Sequence, residues 1–336
     1  MPQNSPPSVM QAEAYRGDTY VLIRNDRTES AIDLTKRYVL EPICEVPDFA
    51  GFLTATAGII KGARVLVALG DSRTANFSNW PRILAIGHLR ETDVVVVNLA
   101  EWARCSEEHV AVLEFYLGWL REHGAAGISV VLIAGLTDMH SKLTYYAKFA
   151  ENNAPLFLSE AEERLGAASY SIDLAQLNDE VPTEWDAAYH WIARRIVAIV
   201  KVLERQCADA GARFFAILEP NSYADCSPGY ERALRRAYET QGDAATPFET
   251  WCQERHYSRD PSKFHARDLR AILQELRKFW RTEAKRSRHG TYLDWSGLFF
   301  GIDECCFDEA HFDAVHYNRR GVDTIAGALS ELLGMG

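Results

Sequence analysis

The feature that most constrains this chain is a set of five short, strongly apolar, β-branched runs. They are Arg64–Gly70 (RVLVALG), Asp93–Ala100 (DVVVVNLA), Ile128–Gly135 (ISVVLIAG), Arg213–Pro220 (RFFAILEP) and Thr291–Trp295 (TYLDW). The first four lack polar alternation. A strand with no polar face must be covered on both sides, as in a parallel sheet layered by helices. Amphipathic stretches fill the intervals. Ser106–His123 carries an apolar stripe of Val110, Leu113, Leu117 and Leu120, and opens on a Ser suited to an N-cap ahead of Glu107 and Glu108. Residues 184–210 read as a long helix stopped by Gly211, 266–286 as another and 320–333 as a short last one. The alternation predicts an α/β fold, a three-layer, doubly wound, parallel five-stranded sheet. In such sheets ligands bind beyond the carboxyl ends of the strands, so residues just after the strands are the informative ones.

Two connections, about 139–182 and 221–264, are longer than bare loops and are expected to carry helices over the site. Residues 1–62 precede the first sheet run as an expected, partly disordered lead-in, small and β-rich or irregular over 12–62, with one domain over 63–336. A chain of 336 residues with a net charge of −11 does not suit nucleic acid as its main partner, because phosphate binding needs clustered Lys and Arg. No apolar segment is long enough to span a membrane. The start, Met1–Gln11, is polar and Pro-rich without the apolar core of a secretion signal, so the expectation is a cytoplasmic protein. Its seven cysteines are then expected to be reduced, Cys305-Cys306 included.

Four pieces at strand ends carry candidate chemistry. Gly70-Asp71-Ser72 follows the first run, where a Ser faces the crevice or, equally, caps a helix. Asn98-Leu-Ala-Glu-Trp102-Ala103 follows the second, and Gly135-Leu-Thr137-Asp138 the third. Near the end stands Asp313-Ala-Val-His316, with a second Asp-x-x-His just before it, Asp308–His311. A His that accepts a Ser proton needs a carboxylate on its far nitrogen, and an Asp three residues earlier can supply one. The same four residues are also open to a metal-site reading, though without a spacing such as His-Glu-x-x-His.

Together and in this order, the four pieces resemble the SGNH (GDSL-like) hydrolases. Trp80-Pro81-x-x-Leu84 and the tail HYNRRGVDTIAGAL resemble the flanks of that family's blocks. The resemblance covers roughly Val65 to Leu333 and implies a flavodoxin-like SGNH fold. It implies Ser72 as nucleophile, His316 as general base (preferred to His311 for its spacing to Gly321) and Asp313 as its orienter. The oxyanion hole it implies is the N–H groups of Ser72 and Ala103 with the side chain of Thr137. Two positions depart from the pattern: Ala103 stands where the family has Gly, and Thr137 where it has Asn. Left-handed backbone is strained in Ala, and a hydroxyl is shorter than an amide and can turn away.

The expected activity is an acyl-enzyme esterase without metal or organic cofactor, acting on a small ester, anionic or carbohydrate-like. An acyltransferase with the same triad, a non-catalytic binding protein and a metal-dependent phosphoesterase are the alternatives. Arg73, Arg104 and Asp138 are candidate substrate-binding residues. For the two arginines the alternative is an ion pair with a neighbour such as Asp71 or Asp138. Tyr145, Tyr146 and Phe149 would line a pocket or pack a helix face. Helices 184–210 and 266–286 also offer surfaces for a homo-oligomer.

Overall fold

The computed structural model describes residues 9–15, 18–24, 37–41, 49–75, 79–85, 94–152, 177, 181–221, 228–242, 245–248, 250–251, 266–308 and 313–334. The chain opens with strands β1 (Val9–Tyr15), β2 (Asp18–Arg24) and β3 (Arg37–Glu41), then helix α1 (Phe49–Ile60). Strand β4 (Arg64–Leu69) leads into two short helices, α2 (Ser72–Ala75) and α3 (Trp80–Ile83). After them come β5 (Val94–Asn98), α4 (Glu108–Glu122), β6 (Gly127–Ala134) and α5 (Leu136–Asn152). Helix α6 (Trp185–Asp209), β7 (Arg213–Leu218), α7 (Pro228–Gln241), α8 (Ala266–Arg286) and β8 (Gly290–Asp294) follow. The chain closes with a small hairpin, β9 (Phe307–Asp308) and β10 (Asp313–Tyr317), and helix α9 (Arg319–Leu333).

The fold is α/β with a mostly parallel sheet. The five apolar runs form β4 to β8 and lie in the order β5-β4-β6-β7-β8, all parallel. This is the flavodoxin-like 2-1-3-4-5 order, whose switch point lies at β4. The sheet is larger than the five strands expected from sequence. Three more strands extend it beyond β5 to give eight, with β3 parallel to β5, β2 parallel to β3 and β1 antiparallel at the edge. Their sequences, VMQAEAY, DTYVLIR and RYVLE, mix charged and apolar residues, so they lack the signature of strands buried on both faces.

Alternation along β4 divides the interior into two cores. Val65, Val67 and Leu69 face one core with residues of α1, α4, α5, α6 and α8. Leu66 and Ala68 face the other with Trp80 and Ile83 of α3 and Val322, Ile325 and Leu329 of α9. Helices therefore cover both faces of the sheet, in three layers. On α6 the buried Ile192, Ile196, Ile199 and Leu203 recur every three or four residues, which lays one stripe on the sheet.

The expected N-cap at Ser106 is not formed. Helix α4 begins at Glu108, and Ser106 instead donates its N–H and Oγ–H to the Asp138 carboxylate, at 2.7 and 3.0 Å. A buried carboxylate needs donors more than a helix end open to water does. The first long connection begins as α5, and Tyr146 is buried on it with its hydroxyl donating to the Pro182 carbonyl at 2.9 Å, so this aromatic packs a helix face. Residues 153–176, 178–180, 222–227 and 252–265, the remaining parts expected over the site, lie outside the described residues. Cys105, Cys207, Cys305 and Cys306 are buried free thiols; Cys44, Cys226 and Cys252 lie outside the described residues. Among the described residues no helix is long and apolar enough to cross a membrane.

Helix α9 is seated by one contact. Asn318 caps it by accepting the Gly321 N–H at 3.0 Å, donates its own N–H to the Cys306 carbonyl at 3.1 Å, and gives its side-chain amide to the Cys305 carbonyl at 2.8 Å. A Cβ on Gly321 would lie 2.2 Å from the Cys306 carbonyl oxygen, a backbone atom that cannot swing aside. Helix propensity alone favours Ala over Gly by about 1 kcal/mol. The clash should reverse the sign: Gly321→Ala is expected to destabilise by about 1–3 kcal/mol in urea unfolding. A more stable variant would show that α9 shifts without penalty.

Candidate active site

Ser72 stands at the switch point, directly after β4. The chain turns sharply there, and only Gly fits at residue 70, because a Cβ would lie 2.5 Å from Thr74 Oγ1. One group from helix α3 and one from the end of strand β5 hold this turn. Trp80 donates its indole N–H to Thr74 Oγ1 at 3.1 Å, and the Asn98 amide donates to the Thr74 carbonyl at 3.3 Å. Ser72 is followed by a single helical turn.

His316 comes from the far end of the chain. The β9–β10 hairpin and the capped start of α9 deliver it, and its Nε2 lies 2.9 Å from Ser72 Oγ across a sequence separation of 244 residues. Both residues are partly exposed, so the pair opens to solvent. Asp313 lies on β10, paired in register with Asp308 of β9. The side chains of Asp308 and Asp313, and all of His311, lie outside the described residues.

Ala103 lies in the loop after β5, the strand beside β4. Glu101 N–H donates to the Gly70 carbonyl and Arg104 N–H to the Glu101 carbonyl, both at 3.3 Å, which closes a tight turn over Glu101–Arg104. Ala103 has φ 58°, in the left-handed region, alone among the described non-glycine residues. That conformation costs an L-residue about 1–2 kcal/mol. The N–H groups of Ser72 and Ala103 have no partner among the described residues.

The other expected site residues are committed elsewhere. Thr137 gives its single hydroxyl proton to Asp71 and accepts from Arg73 Nη2 at 3.3 Å. The expectation that it donates to an oxyanion is therefore corrected: a hydroxyl has one proton, and Asp71 holds it. Arg73 is not presented to a ligand. Its guanidinium is 2% exposed, forked onto Asp71 and ion-paired with Glu219 Oε2 at 2.6 Å. Arg104 pairs with Glu101 and donates to the Leu99 carbonyl at 3.3 Å. Asp138 is buried behind the site on Ser106. The ion-pair alternative thus describes both arginines, and an anionic substrate anchored by them does not fit this geometry.

Two functional-looking residues were not singled out in the sequence. Glu219, at the carboxyl end of β7, accepts the Leu136 N–H and braces Arg73 from below. A carboxylate ending an apolar strand was the signal. Burial pushes its carboxyl up to about 8, with Arg73 opposing. Burial alone would also raise Asp71, but the Arg73 charge and the hydrogen bonds from Arg73 and Thr137 together outweigh it and hold that carboxyl below its usual value. His109, in the first turn of α4, sets its Nε2 between the N–H and carbonyl of Gly70, at 3.2 and 3.1 Å. Burial lowers its pKa to about 3, so it props the turn as a neutral ring.

Cys105, Glu107 and Asp138 cluster with ligand atoms within 4.8 Å of one another. The Lys142 ammonium already pairs with Glu107 there and supplies the positive charge. Burial and the Glu107 charge push Asp138 up to about 7.

No family model matches the chain, and no curated protein matches it. Among solved structures it is similar to protein YxiM from Bacillus subtilis, at 13% identity and a TM-score of 0.41 over 82% of this chain and 58% of that one. It is similar to a gut microbial diltiazem-metabolizing enzyme at 13% identity and a TM-score of 0.41, over 82% and 47% of the two chains. The chain spans about half the length of these structures, and likeness at this level carries no inference of activity.

Two expectations follow from the site. Relief of backbone strain at residue 103 should offset the looser unfolded chain, so Ala103→Gly should leave stability unchanged or raise it by up to about 1 kcal/mol. Ala198→Gly, in the middle of α6, should lower it by about 1 kcal/mol. Equal losses in thermal unfolding would mean that residue 103 is unstrained. Glu219 has a folded pKa raised above its unfolded value, so folding takes up a proton. Its contribution is full below about 4.5 and is lost as pH rises through about 8. Wild type should lose more stability between pH 5 and pH 8.5 than Glu219→Gln; parallel losses in urea unfolding would refute the assignment.

Proposed function

We propose that this chain is a serine ester hydrolase of the SGNH type. The observation that carries the reading is the Ser72 Oγ to His316 Nε2 contact of 2.9 Å at the switch point of the sheet. A hydroxyl held on an imidazole nitrogen, at a strand end open to solvent, is the arrangement an acyl-transfer nucleophile needs.

In this mechanism His316 Nε2 removes the Ser72 proton as Oγ attacks the ester carbonyl. The carbonyl π electrons move to oxygen, and the N–H groups of Ser72 and Ala103 receive the negative charge. His316 returns its proton to the leaving alcohol as the C–O bond breaks. Water then attacks the acyl-serine, giving its proton to His316, and Ser72 Oγ leaves with it. Asp313, three residues before His316, is assigned to hold the imidazole tautomer. No step requires a metal or an organic cofactor, and the substrate is a small ester.

The left-handed Ala103 favours this reading. The turn keeps residue 103 in a left-handed backbone that Gly would hold with less strain, and its N–H has no partner among the described residues. The commitment of Thr137 to Asp71 favours a slow enzyme. A missing oxyanion donor costs about 2.7–4 kcal/mol of barrier, or roughly 10²–10³ in kcat. The same observation supports a second reading, a binding protein on this fold.

Intact-mass spectrometry after treatment with a fluorophosphonate separates the two. Wild type is expected to take one adduct, lost in Ser72→Ala and in His316→Ala. Wild type without an adduct would overturn the hydrolase reading and favour the binding protein.

A further inference from the structure

We propose that Trp102 is a specificity-determining wall of this site and selects esters that carry an uncharged flat ring. The inference rests on the serine-hydrolase reading and goes beyond it by naming the substrate class.

Trp80, Trp119, Trp191, Trp251 and Trp280 are buried in the two cores. Trp102 is 64% exposed, the most exposed large apolar side chain among the described residues. Of the other exposed rings, Trp185 packs edge-on against Tyr146 of α5 at 5.0 Å and Phe115 against its neighbour Tyr116 at 5.3 Å. Among the described residues, the ring beside Trp102 is His316, with centroids 6.2 Å apart and planes tilted by 36°. The indole thus stands beside the proposed base and immediately precedes the oxyanion donor Ala103. An acyl or alkoxy group leaving a carbonyl bound at Ser72 passes within reach of it.

The backbone that carries the indole is tied down. The Glu101–Arg104 turn is tied to Gly70, closed on itself, and clamped by Arg104 onto Leu99 and Glu101. Single exposed apolar side chains are common on folded surfaces; what sets Trp102 apart is that its ring lies beside His316 on a tied, strained turn. A preset ring loses little freedom when a ligand covers it. The chemistry of the occupant follows from the charges around the tip. The Glu101 carboxylate and Arg104 guanidinium neutralise each other, and Arg73 is buried on Asp71 and Glu219. Arg104 is paired with Glu101, and Arg73, Asp71 and Glu219 are buried, so none of these groups offers an anionic or cationic substituent an accessible unpaired charge. An indole face favours the edge or offset face of a neutral ring.

Steady-state kinetics on three esters test this: ethyl acetate without a ring, benzyl acetate with a ring on the alcohol, and ethyl phenylacetate with a ring on the acyl group. For at least one ring ester, wild type should show a lower KM than for ethyl acetate. Trp102→Ala should raise the ratio of ring-ester KM to ethyl acetate KM about three- to tenfold, the size of one aromatic contact. Trp102→Phe should restore most of that ratio, and Phe300→Ala, another exposed aromatic, should leave it as in wild type. The proposal is overturned if wild type is labelled at Ser72 by the fluorophosphonate yet Trp102→Ala changes neither ratio. Wild type that takes no label overturns the hydrolase reading itself, so the two failures are distinct.

Discussion

A buried charge cluster beneath Ser72 is the interaction on which the site depends. Asp71 and Glu219 share the Arg73 guanidinium, and Thr137 joins Asp71 and Arg73 from the start of α5. These residues come from the ends of three strands, β4, β6 and β7, so the cluster locks the carboxyl edge of the sheet at the switch point. Two carboxylates and one guanidinium leave one negative charge uncompensated when all are ionised. That imbalance is why burial lifts Glu219 so far. Such a cluster contributes little net stability, because desolvation offsets the attraction. Its effect is to allow one arrangement of the three strand ends, and that arrangement presents Ser72.

A second cluster repeats the pattern behind the second wall. Lys142 pairs with Glu107, and Ser106 gives two donors to Asp138. It fastens the start of α4 to the start of α5, and so fixes the loop that bears Trp102 and Ala103. The left-handed Ala103 persists because the backbone on either side of it is tied down. Strain at one residue of the crevice is thus held by polar contacts that lie outside it.

Much of this was legible in the sequence. Runs without polar alternation determine strands covered on both faces, and residues that follow such strands must gather at one edge of a parallel sheet. That rule placed the segments that hold Ser72, Ala103 and Thr137, and the resemblance to the SGNH hydrolases singled out those residues within them. The rule did not place the N-terminal strands, because VMQAEAY and RYVLE carry no such pattern and gain their places only by pairing with the β5 edge. The Ser106 cap failed for a similar reason: local propensity yielded to a buried carboxylate 32 residues away.

By itself, then, the sequence determined the α/β class, the parallel central strands and the edge at which chemistry gathers, because these follow from local periodicity and from the geometry of crossovers. The tertiary structure alone decided which polar groups face the crevice. Arg73 and Thr137 look available in the sequence, but a guanidinium or a hydroxyl points to its nearest uncompensated charge. That charge, on Asp71 and Glu219, is assembled from segments as far apart as residues 71 and 219. The meeting of Ser72 with His316 across 244 residues has the same origin: packing of the whole sheet and its last helix sets that distance.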